Sequence, residues 1–450
     1  MMKKYGYWIA LLALIAFNLY VFYPTKPETV VERNIRWAEE NGAQLEQVLE
    51  HYRSTGEEQK ERCARYLIEH MDRRAAFTYG GLAQEKEIIT PDLLAIRADF
   101  LIENIDLAFE VWKKYPWCSH LTEQEFCRLI LPYRMKNEPL EDWRSFYYHR
   151  YKGVADSLAA AGATMEEVVF FFNTHYGKRY THEAEKYRGD LSYKLIEEIG
   201  GGTCDHLALN AAQVMRAIGI PLNIDVLPYH GKVNGGHAYN SFTDEDGNFH
   251  YFSPYEREPE RNRWVAPVVK RICYESPVYQ EVTPSYFPVT DVMLEQPYLS
   301  IATYNRGWLN EIKPGVTENG KTTFKDLSRG LLYFPVDSLE NPIGIPPFIL
   351  GEDGVPQFIP APEPERTVQL RDMHLYDVKR VLTLDTARTY TLRGWDNGWQ
   401  DIATALPADS LTLHFDCVPD YKLFVIYGST PYVADMQRPF VMQGDSVVYY

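Results

Sequence analysis

The chain has 450 residues, of which 62 are acidic and 46 basic, with 45% hydrophobic and 24% charged residues. That length exceeds one ordinary hydrophobic core and predicts roughly three or four domains, while the composition argues against wholesale disorder. The acidic balance, with no run rich in Lys or Arg, gives no electrostatic footprint for nucleic acid, and none is expected as a partner.

The N-terminus reads Lys3-Lys4, then an almost uncharged apolar stretch from Tyr7 to Tyr23 closed by Pro24. Seventeen helical residues span roughly 26 Å, near the lower limit for crossing a bilayer. Ala10, Ala13 and Ala16 lie inside the apolar core, and the bulky Phe17–Tyr23 leaves no small-residue cleavage site after it. Residues 1–24 are therefore expected to be an uncleaved signal anchor, with Lys3 and Lys4 on the cytoplasmic side. The remainder is expected to be exported: anchored at the inner membrane facing the periplasm, or at the surface or secreted if the signal is cut.

Residues 29–153 read as a helical region. Asp92 is a candidate N-cap ahead of Leu94, Phe100, Leu101, Ile105 and Phe109, and Thr122-Glu-Gln-Glu125 is a capping-box pattern. Residues 154–282 read as an α+β core. A helical pattern ends at Gly200-Gly-Gly202, a second runs from Cys204 to Ile218, and Gly219 and Pro221 stop it. The period then becomes two, predicting strands at 222–227, 237–243 and 249–252, the last two joined by a turn at Asp244–Gly247.

Beyond 283 strand patterns alternate with Pro, Gly and Asn. An offset of 91 residues places Tyr304, Gly307 and Trp308 on Trp395, Gly398 and Trp399, and Phe324 and Leu327 on Phe415 and Val418. This predicts two related β-sandwich-like modules, 283–365 and 366–450, joined through the Pro-rich stretch 360–364.

Cys204 sits where a glycine-rich turn meets a helix start. Unpaired N–H groups and the positive end of the helix dipole there are expected to lower a thiol pKa and to hold an oxyanion. Gly201 and Gly202 are expected to leave space for a substrate backbone. His237, opening a strand 33 residues later, is the candidate base.

Gly202-Thr-Cys204, Ala217-Ile-Gly-Ile-Pro221, His237-Ala-Tyr239 and Ser253-Pro254 together resemble the signature elements of the transglutaminase-like superfamily, whose core is of the papain-type cysteine-protease fold. The resemblance covers about residues 155–275. The whole chain is similar to exported bacterial proteins with this core, with Leu131-Pro-Tyr-Arg134, Asn137-Glu-Pro139 and Trp143-Arg144 in a comparable helical region. The resemblance implies a multidomain chain: helical region, α+β transglutaminase-like core, then paired β-modules. It also implies a thiol enzyme acting on amide bonds of peptides, proteins or cell-wall fragments through Cys204 and His237, with hydrolysis expected over crosslinking.

Where the family has an aspartate to orient the histidine, this chain has Ser253, which can accept the imidazole N–H but cannot balance imidazolium charge. Glu256 is the nearby substitute carboxylate. An active site and a catalytically degenerate peptide- or glycan-binding cleft therefore both stand as readings. No cofactor and no metal are expected: Asp205, His206 and His230 with Cys204 match no metal-ligand spacing, and the six cysteines form no close C-x-x-C pair. Cys118 and Cys127 are read either as a disulfide or as buried thiols. Arg134, Glu138 and Arg144 are read as a structural ion-pair network rather than a cleft lining, and Trp308 and Trp399 as packing rather than sugar-stacking residues.

Overall fold

The computed structural model describes residues 28–79, 87–254, 265–377, 380–428, 438–444 and 446–450. The apolar stretch Tyr7–Tyr23 and Glu256 lie outside them. Among the described residues no helix is long and apolar enough to cross a membrane. The chain mixes helices with several β-sheets and divides into two compact units, residues 1–76 with 89–106, and 77–88 with 107–450.

In the first unit α1 (Val30–Trp37), α2 (Gly42–Thr55) and α3 (Glu58–Glu69) pack around Leu45, Val48, Tyr52, Cys63 and Leu67. α1 starts with a capping box in which Thr29 and Glu32 satisfy each other's backbone N–H groups. Asp92 is the first residue of a single turn, α4 (Asp92–Ala95), rather than a cap. Ile96 is extended there, and Asn41 donates to the carbonyls of Leu93 and Ile96 at 2.9 Å each, so the helix expected from Asp92 onward restarts as α5 (Ala98–Lys114). The region expected to be helical also contains strands at Ala75–Tyr79 and Glu87–Pro91.

The second unit continues with α6 (Glu123–Leu129), α7 (Trp143–Ala160), α8 (Met165–His175), α9 (Tyr193–Ile199) and α10 (Cys204–Ala217). Thr122 and Glu125 form the expected capping box. The boundary expected after residue 153 falls inside α7. Every residue of α10 from His206 to Ala217 is buried, because α7 covers one side and a sheet the other. Four alanines permit that close approach, and Asn210 meets it by donating to the Tyr147 hydroxyl at 2.6 Å.

Two short parallel strands, β1 (Arg179–Tyr180) and β2 (Gly201–Gly202), lead to α10. The sheet beside it is built of β3 (Asn223–Leu227), β4 (His237–Thr243), β5 (Phe249–Phe252), β6 (Lys270–Arg271) and β7 (Gln280–Glu281), in the order β5-β4-β3-β6-β7. At its centre Asp225 is fully buried. It accepts both guanidinium arms of Arg271 at 2.8 Å and the hydroxyls of Ser241 and Tyr286 at 2.6 Å, which satisfies the carboxylate and fixes the register of three strands.

After a single helical turn, α11 (Thr283–Tyr286), two modules of the same topology follow. The first has β8 (Val289–Leu294), β9 (Ser300–Asn305), β10 (Trp308–Pro314), β11 (Val316–Glu318), β12 (Lys321–Ser328), β13 (Leu331–Val336), β14 (Phe348–Leu350) and β15 (Pro356–Phe358). The second has β16 (Glu363–Met373), β17 (Tyr390–Trp395), β18 (Trp399–Ala405), β19 (Leu413–Asp420), β20 (Leu423–Tyr427), β21 (Phe440–Gln443) and β22 (Ser446–Tyr449). The five-stranded sheets run β10-β9-β13-β14-β15 and β18-β17-β20-β21-β22, and β8 with β12 corresponds to β16 with β19. β16 begins inside the Pro-rich stretch expected to be a linker. The modules share an apolar core that includes Tyr304, Phe334, Trp395 and Val425. Trp399 is half-buried in that core, whereas Trp308 is 74% exposed and packs against nothing comparable.

Asp225→Asn keeps the shape but leaves Arg271 without its counter-charge. We expect a loss of about 3 kcal/mol, read as a lowered urea midpoint at neutral pH.

Candidate functional site

The site is assembled by docking α10 against β4. Asn240, three residues after His237, donates to the carbonyl of Ala208 at 3.0 Å and to that of Asn223 at 2.9 Å. Ala208 lies four residues after Cys204, so this buried amide ties the start of the helix to the start of the strand. The backbone N–H of Ala238 faces Cys204 closely enough to favour its thiolate. Cys204 and the strand end that carries His237 are thereby brought together.

Cys204 is the first residue of α10, with Thr203 as cap. His206 supplies the rest of the cap: its Nδ1 accepts from the Thr203 N–H at 3.3 Å and lies 3.0 Å from the Thr203 hydroxyl. Its Nε2 is 3.0 Å from the Gly189 carbonyl, which requires the proton on Nε2. His206 is thus a neutral helix-capping residue. Gly201 and Gly202 are required by packing: a Cβ on Gly201 would meet the Arg179 carbonyl oxygen at 2.2 Å, and one on Gly202 the His206 Cβ at 2.6 Å.

The resting thiol differs from the sequence expectation. Burial pushes the Cys204 pKa up, Asp205 adds to it, and the nearby backbone N–H groups of Ala238, Asp205 and Cys204 oppose the rise without cancelling it. Two neighbours escaped sequence reasoning. Lys136 is paired with Asp190 at 2.5 Å and Asp205 at 2.7 Å. Burial alone would lower its pKa, but the two carboxylates outweigh that and hold it charged, so Lys136 partly neutralises the acid beside the thiol. It belongs to the 131–139 segment, but its partners lie more than 50 residues away. Tyr180, exposed on β1 opposite Gly202, stands close enough that a Cys204 thiolate opposes ionisation of its hydroxyl.

His237 Nε2 lies 3.0 Å from Ser253 Oγ, and its ring meets that of Tyr239 edge-on at 4.6 Å. Ser253 is buried. His230 stacks on His237 at 6.1 Å between centroids; burial first, then the charges of His237 and Arg438, lower its pKa from 6.5 to about 4. Among the described residues no cluster of three or more His, Cys, Asp or Glu is placed to hold a metal ion. All six cysteines, Cys118 and Cys127 included, are free thiols. Arg144 donates to the carbonyls of Ile130, Pro132 and Arg216, and Arg134 to that of Glu138, so both arginines bind main-chain oxygens there.

The loop 228–236 that delivers His237 is clamped by the β-modules. Asn305 donates to the His230 and Gly235 carbonyls and accepts from the Gly235 N–H at 3.0 Å, and Asn234 accepts the Arg306 N–H at 2.9 Å. Arg438, buried, donates to the backbone oxygens of Gly231, Tyr304 and Tyr450, linking that loop to both modules with one guanidinium. Gly236 lies so close to the Leu227 and Pro228 carbonyls that a Cβ would sit 2.5 and 2.6 Å from them.

No protein-family model matches the chain, and no characterised protein matches it in sequence. Among solved structures, red sea bream transglutaminase is matched over 84% of this chain and 78% of that chain, at 9% identity and a TM-score of 0.22. A superposition that poor carries no argument about fold or function.

Two outcomes are expected here. Because the folded pKa of His230 lies below its ordinary value, its contribution to stability is complete above about pH 6.5 and is lost as the pH falls towards 4, amounting to about 3 kcal/mol. His230→Gln should flatten the fall in unfolding midpoint between pH 7.5 and 5. Arg438→Met should speed amide exchange of Gly235 and its neighbours by about tenfold or more, measured by hydrogen–deuterium exchange mass spectrometry. Unchanged exchange would show that the loop holds itself.

Proposed function

We propose that the chain is a transglutaminase-like thiol enzyme that cleaves amide bonds of peptide, protein or cell-wall substrates. The observation that supports it most is His237 Nε2 on Ser253 Oγ, at the strand that Asn240 ties to the helix beginning with Cys204. The four sequence elements from Gly202 to Pro254 support the same reading.

With Nε2 directed to Ser253, Nδ1 is the nitrogen that serves the thiol. The Cys204 proton passes to Nδ1 as sulfur attacks the carbonyl carbon, and the oxyanion is held by the Cys204 N–H at the start of α10. The C–N bond then breaks, His237 returns the proton to the leaving amine, and a thioester remains. Water, deprotonated by His237, hydrolyses it to a carboxylic acid and the free thiol. An amine acceptor in place of water gives transfer, the less favoured outcome. Since the resting thiol is pushed up rather than down, His237 acts as a base during attack instead of maintaining a standing ion pair. The extracytoplasmic location and the N-terminal anchor belong to the same proposal and rest on Lys3, Lys4 and the stretch Tyr7–Tyr23.

A second reading, a degenerate cleft that binds peptide or glycan without turnover, is favoured by Ser253 and by the raised thiol. Binding that persists in Cys204→Ala without any wild-type turnover would select it.

The test is the rate of Cys204 alkylation by iodoacetamide against pH. We expect His237→Ala to slow it by about tenfold at pH 7.5, and Ser253→Asp to quicken it several-fold by stabilising imidazolium. A rate indifferent to His237 would remove the catalytic reading.

A further inference from the structure

A cavity of about 380 Å3 lies at the far end of the α10–sheet layer, lined by the last turn of α10, the end of β4 and the segment 271–275. From Cys204 to Arg216 the helix rises about 18 Å, and from His237 to Thr243 the strand runs about 20 Å, so this cavity does not belong to the Cys–His site. Its volume suits a small ligand.

Several of its charges are already paired, Arg271 with Asp225, Arg128 with Glu275 at 2.5 Å and Asp244 with His250 at 2.7 Å. Arg134 and Arg216 line it while being 1% and 5% exposed. Arg216 donates twice to the Leu222 carbonyl, and Arg144 lies directly behind, donating to the Arg216 carbonyl. Burial and the like charge of Arg216 lower the Arg144 pKa to about 9, so two positive groups are held together in a desolvated wall. The exposed part of the lining includes two carboxylates, Glu125 on α6 and Glu245 in the β4–β5 turn, beside His120 and Thr243. Glu125 accepts from the Thr122 N–H at 2.9 Å, and Glu245 accepts from the Met165 N–H at 3.2 Å across 80 positions.

We propose that this cavity binds a small zwitterion of dipeptide size, its carboxylate on the buried arginines and its ammonium on the carboxylates at the mouth. A carboxylate matches guanidinium geometry and relieves the repulsion between Arg144 and Arg216. A phosphate dianion offers nothing to Glu125 and Glu245 and is opposed by both. This site is independent of the chemistry at Cys204.

Cys273 lines the cavity and is partly buried, which provides a reporter. Burial, with Glu275 adding to it, pushes its thiol up, so labelling is done at alkaline pH. Alanylalanine should slow iodoacetamide labelling of Cys273 by about tenfold at saturation while leaving Cys204 unaffected. N-acetyl-alanylalanine and alanylalanine amide should each need about tenfold higher concentration, a difference of about 1.4 kcal/mol. Glu245→Gln, a surface change, should weaken alanylalanine but not the N-acetylated peptide. Arg216→Lys should weaken every peptide with a free carboxylate; if that variant does not fold, the wild-type ligand series decides alone. No protection of Cys273 at about 10 mM alanylalanine, a concentration that would reveal even millimolar binding, overturns the proposal. Equal protection by the blocked peptides or by inorganic phosphate overturns it as well.

Discussion

The buried amide of Asn240 is the contact on which the candidate site depends. By donating to Ala208 on α10 and Asn223 on β3, it bonds a helix to a sheet through main-chain carbonyls that already serve their own elements. A helix packed only through apolar side chains can slide or rotate by a fraction of a turn at little cost. Two directional hydrogen bonds in a desolvated interface remove that freedom, because breaking either leaves a buried polar group unsatisfied. The start of α10 and the start of β4 are held together by this restriction, and Asp225 beneath gives the sheet a fixed register to dock against.

The β-modules contribute to the same end from the other side. Loop 228–236 makes one main-chain bond of its own across its ends, His230 N–H to the Gly235 carbonyl at 2.9 Å. From outside the loop, Asn305, the Arg306 N–H and Arg438 bond its polar groups, and the Val265 carbonyl accepts the Gly231 N–H at 2.8 Å. A guanidinium with five donors suits such a junction, since it reaches three backbone oxygens from three parts of the chain in one plane. The cost of burying it appears as a pKa lowered to about 10, and its main-chain partners offset that cost. The repeat in the second half of the chain thus ends in a residue that positions the first half's candidate histidine.

Local signals in the sequence carried much of this. The helix starting at Cys204, the strands 237–243 and 249–252 and the capping box at Thr122 are written in contiguous residues, and they appear where the pattern puts them. Contacts between distant residues were not legible. Lys136 meets Asp205 across 69 positions, and Arg438 meets Gly231 across 207. Neither residue carries a pattern that marks it. The thiol's raised pKa escaped for a related reason: a helix start is visible in sequence, but the burial that outweighs its field is a tertiary quantity. The aligned pair Trp308 and Trp399 shows the limit of a repeat. Equal register fixes which way a side chain points in its own module, and only the neighbouring module decides whether anything covers it.

The central claim is that Cys204 is an acylatable thiol served by His237. Its most direct test is intact-protein mass spectrometry after mixing with a peptide p-nitrophenyl ester, with the modified residue located by digestion. One acyl group is expected on Cys204, released by hydroxylamine and lost in His237→Ala. Acylation spread over Cys273 and the exposed Cys417, or an adduct on Cys204 that forms equally well without His237, would contradict it.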